Sequence, residues 1–403
     1  MTTLKGLVRK GIVPLLALVT ALLFGAIVII LTDFESLAKI GTDPAGAIGG
    51  AVGGVLTGYG AMLSGAFGDP VRIVTAFETG NTKDIATAIR PLTETLVATT
   101  PLILTGLAVA VSFRAGMFNI GVDGQLILGA LGATITAFVL QGQVPAVVIL
   151  LVAIAVGVIC GAIWGFIPGL LKARTGAHEV ITTIMLNYVA AQIVFFALRS
   201  DTLRRPGSTA PVSKPLSGFV DIPLIFDLPA IRLDYGFVVA LLMAGAVSFL
   251  LFRTTKGFEL RAAGFNLTAA RYAGMSAGGS MMLAMALSGA LAGLAGSFMV
   301  IGTVGQLSLD LSGGIGFTAI ALALLAGLRP SGVVLAALLF GALTSGGKSM
   351  GIESGIPFDL LTFIMALVIM FVAAPNLIRS LWRIKVVDPA KEAVAPHQPT
   401  APV

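Results

Sequence analysis

Long uncharged runs recur along this chain and limit its possible folds more than any other feature. A run of about twenty apolar residues spans the hydrocarbon layer of a bilayer as a helix. Composition points the same way: hydrophobic residues make up 57% of the chain and charged residues 11%, against roughly 25% charged in a soluble domain. With a mean hydropathy of +1.00, the sequence reads as an all-α polytopic membrane protein. The net charge of +6 would suggest nucleic acid in a soluble chain. Here it follows from basic residues on the loops of one membrane face, and no nucleic-acid partner is expected. Cys160 is the single cysteine and lies in an apolar run, so it reads as a small core residue with no disulfide partner.

The expected spans are 11–32, 92–112, 123–141, 145–168, 180–198, 235–252, 280–301, 314–328, 331–347 and 358–376, ten helices in all. Lys5, Arg9 and Lys10 precede the first run, which is longer than a signal-peptide core and lacks a small-residue cleavage site, so it reads as an uncleaved span. Ten crossings put both termini on one side. Lys172, Arg174, Arg253, Lys256, Arg261, Arg271, Arg329, Arg379, Arg383 and Lys385 fall on that side, while the short loops opposite carry only Lys348. The asymmetry makes both termini cytoplasmic. The stretch 45–68 is uncharged and long enough to span, but a crossing there would turn every later basic loop outward. Its many glycines also weaken a lone helix. It is read as an outer helix or re-entrant piece packed on the bundle.

This organisation implies one transmembrane domain over 1–387. Segments 33–90 and 199–234 are extracytoplasmic and 252–280 is a cytoplasmic loop. The tail 388–403, rich in Ala and Pro, is expected to be disordered. Trp382, among Arg379, Arg383 and Lys385, reads as an interfacial anchor.

ALTSGGKS (342–349) fits a loose phosphate-loop pattern. Such a loop must follow a strand and open a helix. This one ends an expected span on the outer side and is followed by the loop-like MGIESGIPFD, so nucleotide binding is excluded. Gly346 and Gly347 read instead as a helix C-terminal stop, with Lys348 near the carbonyl end of the dipole.

Two polar, Gly-rich breaks interrupt apolar sequence: FNIGVDGQ (118–125) and SLDLSGGIG (308–316). Irregular backbone at membrane depth is tolerated only when buried in protein or lining water. Two breaks in corresponding places of the two halves point to a binding or gating region. Asp123 or Asn119 is expected to cap the helix that starts near Gly124. Phe118, Asn119, Asp123, Gln125, Asn187 and Phe317 are the candidate pathway residues. Thr182, Thr183 and Gln192 add polarity to the 180–198 span. The plainer alternative is that these amides and hydroxyls hold helices together. Glu179 suits a helix N-terminus and is a candidate cytoplasmic gate. His178 lacks companions at metal-ligand spacing, and neither a metal nor another cofactor is expected.

In the basic loop, NLTAARYAG carries both ends of a short helix. Asn266 is a good N-cap, Gly274 a good stop, and Arg271 falls in the last turn. A helix this short persists only if it packs on something. The membrane surface and a groove on a soluble partner are both open.

RAAGFNLTAARYAGMS (261–276) resembles the cytoplasmic coupling segment of ABC importer permeases of the branched-chain amino acid, ribose and nucleoside superfamily. FRAGMFNIGVDGQLILGA (113–130), HEVITTIMLNY (178–188), ALSGALAGLAGS (286–297) and GIGFTAIALALLAG (314–327) carry the same resemblance over most of the chain. FNIGVDGQ together with HEVITTIMLNY is similar to the larger permease of bacterial nucleoside importers served by a basic-membrane-protein type lipoprotein. Asp123 stands where that family commonly has Glu, Phe265 where an acidic residue is common, and Thr318-Ala319 where Asp-Gly is common.

The resemblance implies a multi-pass subunit of the bacterial plasma (inner) membrane that translocates a nucleoside and is not itself an enzyme. ATP hydrolysis would lie on two separate ABC ATPase subunits, reached through Arg261, Asn266, Arg271, Tyr272 and Gly274. It further implies a second permease subunit, expected as a heterodimer, and an extracytoplasmic lipoprotein substrate-binding protein. A nucleoside would offer hydroxyls and base edges to amides and a flat face to Phe113, Phe118 or Phe317. A simple sugar is the alternative solute. An ion-coupled secondary transporter is the alternative class, but Asp123 is the only acid near the middle of the expected spans, with Glu94 and Asp310 near outer ends.

Overall fold

The structure, a computed structural model, describes residues 2–383, so the expected tail 388–403 lies outside the described residues. The helices are α1 (Thr2–Thr32), α2 (Phe34–Ala38), α3 (Pro44–Phe67), α4 (Pro70–Thr79), α5 (Thr82–Arg114), α6 (Val122–Leu140), α7 (Ala146–Thr175), α8 (Glu179–Ala197), α9 (Gly236–Arg253), α10 (Thr255–Phe265), α11 (Leu267–Tyr272), α12 (Ala277–Phe298), α13 (Ile315–Leu325), α14 (Pro330–Ser354), α15 (Phe358–Ala373) and α16 (Pro375–Leu381). A π-helical turn, Met299–Thr303, extends α12. Among the described residues nine helices are long and apolar enough to cross a membrane, and α15 with α16 makes a tenth candidate bent by 91°. Local sequence explains many of the starts. Asp43, Asp69 and Asn81 accept a backbone N–H of the helix that follows, and Pro44 and Pro70 occupy first positions where no donor is needed.

The centre of the bundle is α6, α7 and α12. In an apolar solvent helices gain little from hiding apolar faces, so small residues that allow close approach dominate the contact. Gly157, Gly161 and Gly165 of α7 lie against Gly289 and Gly293 of α12. A Cβ on Gly161 would run into the Gly289 carbonyl oxygen, and one on Gly289 into that of Gly161.

Contacts fix the direction of each helix. α5 and α9 run parallel, tied at one end by Glu94 and Arg232 and at the other by Arg114 over the Phe252 ring. Glu94 and Arg114 stand about 30 Å apart along α5, the thickness of a hydrocarbon layer. Arg114 marks the basic end, shared by Arg261 and Arg329 and by the ends of α7 and α9 with Lys172, Arg174 and Arg253. α14 runs the other way, with Val333 beside Gly106 and Gly341 beside Thr99.

Two expectations change, and the stretch 45–68 gains a geometry. α3 is one continuous helix, antiparallel to α14 and so parallel to α5: Gly58 meets Met350, and Gly65 meets Gly346 and Ser349. It ends where Thr95 Oγ1 donates to Ala66 O at 2.7 Å, about 28 Å short of Arg114 along α5. The ten-residue α4 then turns the chain back to the start of α5. The segment therefore turns back at the level of Thr95 without reaching the basic end.

The expected span 314–328 is instead the 11-residue α13, about 16 Å long and half a crossing. The chain from 304 to 314 covers the other half without helix.

Gly346 and Gly347 do not stop a helix. α14 continues through ALTSGGKS and MGIES to Ser354, where Gly355 takes the left-handed cap with φ 69°. The two glycines are there for contact, since Cβ atoms would strike Met62 O and the Leu361 side chain. Helical backbone in place of a strand and loop also removes any phosphate cradle.

The segment 198–235 is a packed strap rather than a free loop. Leu203, Leu216, Val220, Ile231 and Leu233 are buried. Ser213 N and Leu216 N donate to Leu307 O and Gly305 O at 2.9 and 2.8 Å. At its end Asp234 accepts from Gly236 N at 2.8 Å, and burial pushes its carboxyl up to about 6. At the other extreme of the chain Trp382 Nε1 donates to Thr20 Oγ1 at 2.9 Å, so the expected anchor is tied to α1.

Two outcomes follow. Gly161→Val should lower the melting temperature of the detergent-solubilised chain, since overpacking costs about 1–3 kcal/mol. Gly245→Val, at an α9 glycine with nothing within 4 Å, should not; equal losses would contradict the account. The folded chain protonates Asp234 at higher pH than the unfolded chain, so the carboxylate costs stability at neutral pH and the cost fades as pH falls through about 6 towards about 4. Asp234→Asn, which keeps an acceptor for Gly236, should raise the melting temperature at pH 7 and flatten that pH dependence. An unchanged profile would refute it.

Candidate functional site

The break between α5 and α6 carries irregular backbone, Ala115–Gly121, into the bundle. Its polar groups are answered from three helices. Asn119 is fully buried: its Nδ2 donates to Gln125 Oε1 at 3.0 Å and to Ser288 Oγ of α12 at 2.9 Å. Asn119 Oδ1 accepts from Gly121 N at 2.8 Å. From α8, Asn187 reads the backbone on both sides of the turn, donating to Ile120 O and accepting from Gly124 N, each at 2.9 Å. A Cβ on Gly124 would stand 2.8 Å from Asn187 Oδ1, so only glycine leaves room for this pairing. Thr183, also on α8, accepts from Ile120 N at 3.4 Å and donates to Glu179 O.

Asp123 does not cap its own helix. The N-cap of α6 is Gly121, without a side-chain cap. Asp123 Oδ1 instead accepts from Gly316 N at 2.9 Å, in the first turn of α13. The N-terminal ends of α6 and α13 therefore share one carboxylate, a favourable place for negative charge. A Cβ on Gly316 would lie 2.7 Å from Asp123 Cγ, so the approach needs glycine. α13 is bounded by left-handed residues on both sides, Gly313 and Gly314 before it and Gly327 and Leu328 after it. Its far end is held by Arg114, whose Nε and Nη2 donate to Leu328 O and Gly327 O at 3.1 and 3.2 Å.

The expected pathway residues thus separate into two groups. Asn119 and Gln125 are enclosed and bonded to each other, and Asn187 is spent on backbone. Phe118, stacked on Phe113 at 4.3 Å near the end of α5, and Phe317, next to Gly316, are 41% and 58% exposed. Thr182 donates to His178 O, and Gln192 is exposed. Glu179 pairs with Lys172 at 2.9 Å, joining the end of α7 to the start of α8 at the basic end. Ser288 and Gly316 belong to the network and were not singled out by the sequence, because their role exists only once distant helices meet.

At the basic end the expected short helix is present as α11. Asn266 caps it, Oδ1 accepting from Ala269 N at 3.0 Å, and ends α10 through Asn266 N to Ala262 O. Gly274, at φ 77°, closes it: Gly274 N bonds Arg271 O and Met275 N bonds Ala270 O, the paired bonds of a Schellman stop. Tyr272 and Phe265 stand out at 90% and 96% exposed. Arg261 lies over Phe252 at 5.2 Å. α10 falls inside the expected cytoplasmic loop 252–280, where Thr254 caps it by accepting from Gly257 N at 3.0 Å. α10 meets the end of α5 and the turn after it backbone to backbone, Gly264 lying against Arg114 O and Gly116.

The family described as branched-chain amino acid transport system / permease component matches residues 92–373. The guanosine ABC transporter permease protein NupP of Bacillus subtilis is 37% identical over 370 residues, 91% of this chain and 94% of that one. The nucleoside ABC transporter permease protein NupB of Lactococcus lactis subsp. cremoris is 32% identical over 376 residues, 92% of each chain. A glucose ABC transporter permease protein of Haloferax volcanii is 38% identical over 292 residues, 70% of this chain and 75% of that one. No solved structure matches the chain. With the bundle of apolar helices, these matches make the chain a member of the branched-chain amino acid transport type of ABC transporter permeases, non-enzymatic multi-pass subunits of the plasma membrane.

Proposed function

We propose that this permease imports a nucleoside in an ATP-driven complex, with its basic end and both termini in the cytoplasm. The observation that carries the reading is α11. A six-residue helix cannot hold itself in water, yet this one is capped at both ends and presents Tyr272 almost fully exposed, beside the equally exposed Phe265 at the end of α10. That is the form of a knob for a groove on a soluble partner, and the partner is an ABC ATPase carrying the nucleotide site. Arg261, Asn266, Arg271, Tyr272 and Gly274 hold and present the knob. A second permease, different in sequence, completes the membrane part, and an extracytoplasmic lipoprotein delivers solute at the end where the strap 198–235 lies. The pathway runs past Phe118, Asp123 and Phe317, with Asn119, Gln125 and Asn187 fixing the break behind them and Glu179 at the cytoplasmic gate.

The guanosine and nucleoside relatives, matched over nearly their whole length, support a nucleoside as solute. The glucose relative favours a sugar as the second reading. Ion coupling fits less well, because Asp123 is committed to Gly316 N.

Capture of the tagged chain in mild detergent should bring down an ABC ATPase and a second permease. Tyr272→Ala should weaken ATPase capture by about thirtyfold, as expected for an exposed aromatic hot spot. A functional homo-oligomer without an ATPase would refute the importer reading. Guanosine uptake unaffected by excess glucose would separate nucleoside from sugar; inhibition by glucose would favour the sugar.

A further inference from the structure

At the basic end, the end of α9, the start of α10 and the turn after α11 enclose a groove of about 740 Å³. Phe252, Arg253, Lys256, Phe258, Arg261 and Gly274 line it. Three cations face one carboxylate there: Glu259 binds Lys256 Nζ at 2.9 Å, leaving Arg253 and Arg261 in excess. Arg261 Nε is buried without a hydrogen-bond partner, while its guanidinium lies over Phe252. The excess of guanidinium groups lining this groove suits an anion with several acceptor oxygens.

The position of the groove tells which anion. The exposed apolar stripe of α9, Leu242, Phe249 and Phe252, runs down the bundle to the rim and passes into exposed Phe258. A stripe with that exposure and no polar residue is a surface for acyl chains. The cations begin where the stripe ends, at the depth at which a phospholipid changes from chain to phosphate. Aromatic side chains mark the same interface. A basic groove between helices at the cytoplasmic face is suited to an anionic headgroup.

We propose that this groove binds the phosphate headgroup of an anionic phospholipid, whose acyl chains lie along α9. The lipid braces α10, and through it α11, against the bundle. The proposal rests on the cytoplasmic placement of the basic end made above, but its test does not use the ATPase.

The test is the thermal stability and native mass spectrum of the full chain in detergent with added phosphatidylglycerol or phosphatidylcholine. Phosphatidylglycerol is expected to be retained and to raise the melting temperature, and phosphatidylcholine is not. Arg253→Gln with Lys256→Gln changes two exposed side chains and should lower phosphatidylglycerol affinity by about fivefold per cation removed. Arg204→Gln with Arg205→Gln, an equal charge change on the strap at the opposite end, should leave it unchanged. Equal retention of the two lipids would overturn the proposal. So would a lipid preference that survives Arg253→Gln with Lys256→Gln, and if that pair also abolished ATPase capture, the groove would be assigned to the ATPase. Loss of ATPase capture in wild type with intact lipid selectivity would defeat the importer reading and leave this site standing.

Discussion

A backbone amide or carbonyl inside an apolar layer has no water to turn to, and a donor left open there costs about 1–3 kcal/mol. The chain leaves helical geometry twice inside the bundle, at 115–121 and at 304–314, and the surrounding structure is arranged to meet that cost. Asn187 answers Ile120 and Gly124, Asn119 answers Gly121, and Asp123 answers Gly316. The first break is fixed from α8 and α12 by several bonds. The carboxylate of Asp123 ties the second break to the first. α6 and the half-length α13 therefore meet at one carboxylate, which both Gly316 N and the Ser312 side chain engage.

From this junction α13 leads to the basic face. Left-handed residues at 313, 314, 327 and 328 flank it, and its buried face, with Leu322 against Gly106, packs on α5. Arg114 holds the carbonyls at 327 and 328 and lies over the Phe252 ring that Arg261 also covers. The Gly116–Gly264 contact brings α10 against the same turn. A continuous set of packed elements thus runs from the exposed Tyr272 and Phe265 to the Asp123 junction. Close packing of this kind carries small displacements as discrete shifts rather than absorbing them.

How far the sequence revealed this depends on the range of each interaction. Length and polarity gave the membrane class, and local caps gave α11, because Asn266 and Gly274 act within a few residues. The breaks at 118–125 and 308–316 were visible as polarity in apolar surroundings. Their partners were not, since Ser288 and Gly316 look like any serine and glycine of a membrane helix until remote segments meet them. Gly346 and Gly347 show the limit most clearly: glycine serves both helix stops and close contacts, and only Met62 and Leu361 decide between them. In the same way, an apolar 314–328 reads as a span because apolarity does not report that the preceding stretch is unwound. Asp123 was legible as important, but not as a partner of Gly316, because that bond is to a residue far along the chain rather than to its own helix.

The most direct test of this account is nucleoside uptake by the assembled transporter carrying Asp123→Ala, beside Asp123→Asn. The amide oxygen of Asn can still accept from Gly316, whereas Ala leaves that donor open. The account predicts that both variants assemble with their partners, that Asn keeps most of the uptake, and that Ala loses it. Wild-type uptake with Ala at position 123 would contradict the central place given to the junction of α6 and α13.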